Sequence, residues 1–223
     1  MTSPVAELVA ELAALVATLR PPYVPRVAID GPDAAGKTML ADELARALTG
    51  IRPAIRAGVD GFHHPRAVRR RRGEESAEGY YEDAFDYEAV RSRLLDPLGP
   101  GGDRRYRTAA FDHRTDAPTA AEWRTAADDA VLLFDGVFLL RPVLRDRWDL
   151  TILVEITPDE TLRRALVRDG DLFGGPANVR RRYRRRYLPA QELYRAEAAP
   201  AARADIVIDN NDPYRPRVRR WPR

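Results

Sequence analysis

The sequence predicts an α/β protein, a parallel five-stranded sheet flanked by helices, and three observations lead there. First, Gly31, Pro32, Asp33, Ala34, Ala35, Gly36, Lys37 and Thr38 fit the spacing of the phosphate-binding P-loop: Gly, four free positions, Gly, Lys, then Ser or Thr. Second, the flanks supply the context this loop requires. Val27, Ala28 and Ile29 make a short apolar strand before it, and Leu40, Leu44, Ala45, Ala47 and Leu48 make a helical stripe after it. Third, three apolar strands each end in the same pair, at Asp30-Gly31, Asp60-Gly61 and Asp135-Gly136. In an open parallel sheet the ligand crevice lies at the carboxyl ends of the strands. Asp-Gly is also a favoured turn pair, yet three instances around a P-loop point Asp60 and Asp135 at one site.

The loop carries its own chemistry. Successive backbone amides wrap phosphate oxygens, close approach leaves no room for side chains at the glycines, and the following helix N-terminus adds partial positive charge. Gly31, Asp33, Ala34, Ala35, Gly36, Lys37 and Thr38 therefore form the expected nucleotide cradle. In such a loop Lys37 reaches the terminal phosphates and the Thr38 hydroxyl holds Mg²⁺, so ATP and Mg²⁺ are the cofactors expected. Of 37 basic residues, Lys37 is the only lysine and the other 36 are arginines. A compact ammonium survives where a planar guanidinium would serve poorly.

In chain order, Ser3 and Pro4 open an amphipathic helix over residues 4–20, with Val5, Leu8, Val9, Leu12, Leu15, Val16 and Leu19 on one face. The first strand, the loop and its helix follow, and Thr49-Gly50 stops them. Residues 54–59 form the second strand, 131–134 the third, 150–156 the fourth and 206–208 the fifth. Residues 62–130 are too polar for a core unit and read as an inserted acceptor-binding segment, with a helix over 87–95 and an edge strand over 106–111. A helix over 158–167 leads to a glycine-rich stretch, Asp169 to Pro176, suited to be a lid, and a second helix runs from Asn178 to about Arg195. The lid as a whole is placed at 164–180, and the tail after Asp212 is frayed or laid on the surface.

At 223 residues the whole chain, 1–223, reads as a single domain. It has no cysteine, which excludes disulfides and thiolate metal sites and accords with a cytoplasmic location. No apolar run spans a bilayer, and Glu7 and Glu11 break what would be a secretory signal. The net charge of +3 argues against a general nucleic-acid binder, although the arginine runs 69–72 and 180–186 leave room for local basic patches. With one lysine the chain cannot carry the guanine-recognition sequence Asn-Lys-x-Asp. A small domain with an arginine-bearing lid suits phosphoryl transfer to a small acceptor, because closing arginines expel water and neutralise charge.

From about Arg26 to Asp209 the sequence resembles the uridine/cytidine kinase group of P-loop kinases, whose relatives include pantothenate kinase and phosphoribulokinase. The carriers are the P-loop, Val59 to His63, Asp83 to Asp86, Tyr106 with Phe111 to Arg114, Leu133 to Gly136, Arg164 with Arg168-Asp169, and Ala204 to Ile208. The resemblance implies a P-loop NTPase fold of the nucleoside-monophosphate-kinase kind with an Arg-rich lid. It implies Asp60 as general base near Mg²⁺, Asp135 in the metal shell with Thr38, and Lys37, Arg164 and Arg168 as phosphate clamps. Phe62, His63, Tyr106 and His113 match acceptor-binding positions. Tyr81 and Glu82 stand where the family's ribose-binding aspartate would precede Asp83, and the Phe111 to His113 spacing leans toward the pantothenate kinase pattern. The function expected is transfer of the γ-phosphoryl group of ATP to the 5′-hydroxyl of uridine, cytidine or a similar nucleoside. The alternatives are another alcohol such as pantothenate, or a nucleotide-switched nucleic-acid-binding protein. A small-molecule partner is expected, no membrane partner, and a homo-oligomer is left open.

Overall fold

The computed structural model describes residues 3–222. Its centre is a six-stranded sheet: β1 (Arg26–Asp30), β2 (Ala54–Gly58), β3 (Val131–Gly136), β4 (Leu150–Glu155), β5 (Ile206–Asp209) and β6 (Arg217–Arg220), in the spatial order β6-β5-β4-β1-β3-β2. The first five strands are parallel, and β6 pairs antiparallel with β5. The tail is thus not frayed over these residues. Arg217–Arg220 close one edge of the sheet, and all four are exposed.

Alternation along the strands divides the apolar residues between two layers. Val27 and Ile29 of β1 and Leu133 of β3 face α1 (Pro4–Thr18) and α2 (Lys37–Ala47), where Leu12, Val16 and Leu44 are fully buried. Ala28, Leu132 and Phe134 face the other way, onto Phe62, Phe138 and α6 (Leu188–Ala198). α1 starts as its sequence requires: the Ser3 hydroxyl accepts from the Ala6 amide at 3.2 Å, and Pro4 fills the first helical position.

The insertion contains α3 (Ala77–Asp83) and a helical turn at Tyr87–Val90 that runs on as a π turn, Arg91–Leu95. The edge strand expected over 106–111 is absent. Arg105–Tyr106 and Phe111–Asp112 belong to two separate two-stranded ribbons. After β4 come α4 (Pro158–Arg168), a loop and α5 (Pro176–Arg182), then a π turn, Tyr183–Tyr187, that joins α5 to α6. Ala165, Val179 and Tyr183 form a small core of their own between α4 and α5. No helix among the described residues is long and apolar enough to cross a membrane.

Register decides where the chemistry gathers. Ile29 of β1 and Gly58 of β2 both pair with Asp135, and Asp30 pairs with Gly136 and Leu153. The carboxyl ends of β1, β2, β3 and β4 therefore share one edge of the sheet, and the P-loop leaves from β1 within it.

Candidate active site

The floor of the site is the loop between β1 and α2. A Cβ at Gly31 would lie 2.2 Å from the Val154 carbonyl oxygen, so only glycine lets the chain leave β1 against β4. Ala34 and Gly36 hold left-handed φ angles of 60° and 94°, which curl the loop so that its amides converge, and the first-turn amides of α2 add unpaired donors. Buried Ala35 anchors the curl through its carbonyl, which accepts from Asn210 Nδ2 at 2.8 Å.

Lys37 lies inside this curl. Its Nζ donates to the Pro32 carbonyl at 2.6 Å. Burial lowers its pKa, while the carboxylates of Asp33, Asp30, Asp135 and Asp60 work to keep it charged. One turn into α2, Thr38 Oγ1 donates to Asp135 Oδ2 at 2.6 Å, and Asp135 Oδ1 accepts from Arg56 at 2.9 Å. The donor set suits Mg²⁺, a hard cation that takes one or two carboxylates, waters and substrate phosphate oxygens. Among the described residues no group of three His, Cys, Asp or Glu side chains could hold a metal. The ion would rest on Thr38, Asp135 and the nucleotide. Asp60, expected as a third ligand, hydrogen-bonds to neither.

The three Asp-Gly ends do different work. Asp30 is fully buried; its Oδ1 accepts from the amides of Gly31 at 2.8 Å and Leu139 at 3.4 Å, and its Oδ2 from the Tyr194 hydroxyl. Burial raises its pKa against these bonds and the charge of Lys37. It ties the sheet to α6 and does not open to the site. Asp60, in the 3₁₀ turn Val59–Gly61 after β2, is 78% exposed, with Oδ1 3.4 Å from His63 Nε2. Desolvation by the cleft walls would raise its pKa, but His63, His113 and Lys37 outweigh it and the net shift is downward. The Asp60 carboxylate therefore stays ionised. His63 Nδ1 faces the Ala84 carbonyl at 3.0 Å, which only accepts, so Nδ1 carries the proton and Nε2 donates to Asp60 when the ring is doubly protonated.

Asp60, His63 and His113 line a cavity of about 580 Å³, and Asp33 of the loop lines it too. The His63 and His113 ring centroids are 4.6 Å apart. Burial lowers the pKa of His113, with the charge of His63 adding to it. The lid closes the cavity with Arg168, bound to Asp169 at 2.6 Å, and with Tyr183, whose hydroxyl donates to Asp169 at 2.7 Å. Arg164 takes another place: its guanidinium bonds Glu160, the Asn210 carbonyl at 2.5 Å and the Ala34 carbonyl at 3.4 Å, bracing the back of the loop. Glu160 is held down to about 2, first by its hydrogen bond from Arg163 and then by Arg164 against burial.

Four residues expected on the acceptor do not line this cavity. Phe62 points into the core, fully buried with its ring 6.2 Å from Phe134, because the turn after Asp60 directs the next side chain inward. Tyr81 is buried beneath the Arg141 guanidinium, 3.9 Å from its ring centroid, and Glu82 pairs with the same arginine at 2.8 Å. Tyr106 belongs to a separate recess near Thr108 and Arg124. The preceding tyrosine, Tyr80, is the one that reaches the site, donating to Asp33 Oδ1 at 3.1 Å. On α3 a one-residue step rotates a side chain to another face. The arginine runs are largely engaged: Arg71 and Arg72 clamp buried Asp83, Arg181 and Arg185 hold Glu75, and Arg182 holds Glu74. Arg56 and Arg186 had no isolated signal, although Val179, Tyr183, Tyr187 and Ala190 recur at four-residue or three-residue steps and mark the buried face beside Arg186.

Strand order, the P-loop and the carboxylates at the strand ends together define a P-loop α/β fold. Among solved structures, the chain is similar to one described as a possible uridine kinase from Bacillus stearothermophilus (21% identity, 90% of this chain and 97% of that one, TM-score 0.70). It is similar to a proposed fructose transport system kinase from Silicibacter sp. TM1040 (24% identity, 89% and 96%, TM-score 0.69) and to D-glycerate 3-kinase from Cryptococcus neoformans (16% identity, 84% and 86%, TM-score 0.58). This chain shares the fold of these structures. No family model matches the sequence, and no curated protein matches it.

Proposed function

We propose that the protein is a small-molecule kinase that transfers the γ-phosphoryl group of ATP to an alcohol. The observation that carries this reading is one cavity lined both by the exposed, ionised Asp60 and by Asp33 of the P-loop. Mg²⁺, when bound with ATP, would supply positive charge against the negative charge that builds up in transfer. Thr38 and Asp135 would hold it, and Lys37 would exchange the Pro32 carbonyl for a phosphate oxygen. Asp60 accepts the proton of the acceptor hydroxyl as that oxygen bonds to the γ-phosphorus. The bond from the γ-phosphorus to the bridging oxygen breaks, and ADP leaves with the electron pair. Arg168 neutralises the moving phosphoryl group from the lid, and His63 fixes the Asp60 carboxylate.

A nucleoside 5′-hydroxyl is the acceptor that the sequence resemblance favours, with pantothenate or another alcohol as the alternative. The nucleic-acid-switch reading has less support, because most arginines of the two runs are spent on carboxylates of this chain. The test is ATP consumption, with product identified by mass, over a panel of nucleosides, pantothenate, sugars and hydroxy acids. Phosphorylation of one class supports the kinase reading. Salt-dependent binding of labelled RNA or DNA with no product from any acceptor would replace it.

A further inference from the structure

Arg186 is the one arginine of the 180–186 run that is buried, at 8% exposure. The π turn Tyr183–Tyr187 inserts an extra residue, and Tyr183, Arg186 and Tyr187 all line the cavity. One guanidinium nitrogen of Arg186 donates to the carbonyls of Glu74 at 2.9 Å and Ser76 at 3.2 Å, and the group lies 5.1 Å from the Tyr80 ring centroid. Its other nitrogens make no hydrogen bond among the described residues. No carboxylate among the described residues pairs with it.

Its neighbours differ. Arg168 has Asp169, Arg182 has Glu74, and Arg69 has Asp116. The carboxylates on the cavity wall are engaged too: Asp33 by Tyr80, Asp60 by His63, Glu74 and Asp169 by arginines. Arg186 is the buried arginine of the cavity that forms no ion pair, and exposed Arg66 and Arg114 also line it without an ion pair to a carboxylate among the described residues. A buried cation without a counter-charge is costly, and a guanidinium fork matches a carboxylate or phosphate in two-point contact.

We propose that the acceptor alcohol carries an anionic group, a carboxylate or a phosphate monoester, bound by Arg186 with Arg66 and Arg114 at the entrance. This rests on the kinase reading and names its substrate class, favouring an anionic alcohol such as the pantothenate alternative over an uncharged nucleoside. The anion belongs to the acceptor and not to ATP because Arg186 is held by the insertion, through the Glu74 and Ser76 carbonyls and the Tyr80 ring. The loop's Asp33 instead feels Lys37 and Arg168. Burial, with Arg182 and Arg69 nearby, already disfavours the Arg186 charge, a penalty that an anion removes.

The test uses the full chain with its P-loop filled by Mg²⁺ and a non-hydrolysable ATP analogue. Binding of glycerol, D-glycerate and glycerol 3-phosphate is measured by calorimetry, and turnover of the same three with ATP is measured separately. The proposal expects D-glycerate or glycerol 3-phosphate to bind at least about tenfold tighter than glycerol, and Arg186→Gln to erase that preference with analogue affinity unchanged. Which of the two anions binds identifies carboxylate or phosphate as the group. Arg186→Lys should keep part of the preference. If Arg186→Gln does not fold by thermal melt, Arg66→Gln, at an exposed position, should still reduce the preference. Equal binding of glycerol and both anions, or loss of analogue affinity in Arg186→Gln with anion binding intact, overturns the proposal. Anion binding that depends on Arg186 without turnover of any alcohol would leave the anion site standing and sink the kinase reading.

Discussion

The floor and the roof of the cavity are built on different principles. The floor, from β1 through the P-loop into α2, is packed between β4 and the apolar layer, and its contacts are backbone amides, close carbonyls and one lysine. The roof, made of α4, α5 and the loop between them, has a small separate core at Ala165, Val179 and Tyr183 and is strapped to the insertion by ion pairs from Glu74 and Glu75 to Arg181, Arg182 and Arg185, whereas the insertion itself packs into the main core with Tyr80, Phe85 and Leu94. A site that must hold polyphosphate in one geometry and still admit an acceptor needs a rigid part and a part of low local stability. The difference teaches that substitutions in the floor should act on folding or all-or-none chemistry. Those in the roof should act on affinity and closure.

The largest expected effect lies at the seam. Asp60→Asn should lower kcat by roughly 10²–10⁴-fold while nucleotide affinity stays within about twofold, measured by turnover and by calorimetry. Retained turnover would remove Asp60 as the base. Next, Gly31→Ala places a Cβ 2.2 Å from the Val154 carbonyl and should cost about 3 kcal/mol or more in chemical denaturation. A neutral outcome would show the floor to be as yielding as the roof.

Tyr194→Phe removes a hydroxyl that serves both Asp30 and the Leu140 amide, and should cost about 1–3 kcal/mol through groups left unsatisfied. Because Asp30 has a raised pKa, its ionised form is the disfavoured one in the fold. The loss should therefore grow as pH rises through its titration and shrink in acid. The next prediction concerns catalysis and pH. With its pKa depressed, Asp60 remains a base below the ordinary carboxylate value of 3.8, so the acid limb of kcat/KM should fall there. His63→Ala removes the hydrogen bond and charge that lower it, and the limb should move to higher pH. An unmoved limb would mean that His63 does not act on Asp60. The smallest effect belongs to the roof: Glu75→Gln breaks two exposed pairs, and the melting free energy should change by less than about 1 kcal/mol. A larger loss would mean that the straps hold the whole molecule together, and the contrast between floor and roof would fail.

Legibility follows the same division. The cradle could be read directly because its requirements are local: Gly31, Gly36, Lys37 and Thr38 lie within eight positions, and each is needed for backbone space or for reach. The five parallel strands were readable as apolar runs, and Asp60 and Asp135 from the turns that end them. On the acceptor side the sequence and the structure differ by single steps: the pattern points to Tyr81 where Tyr80 stands, and to Phe62 beside His63 although its side chain turns into the core. The sixth strand escaped notice because Arg217–Arg220 has no apolar face. Only its pairing with β5 makes it a strand.

The loop chemistry is thus written in consecutive residues, because a backbone cradle needs only local φ angles and the absence of side chains at two points. Which charges are free to act is not written there. Thr38 meets Asp135 across 97 positions, Arg181 meets Glu75 across 106, and Arg186 reaches the Glu74 carbonyl across 112. A carboxylate or guanidinium becomes a catalytic or binding group according to whether such distant partners have already neutralised it, and that balance exists only once the chain is packed.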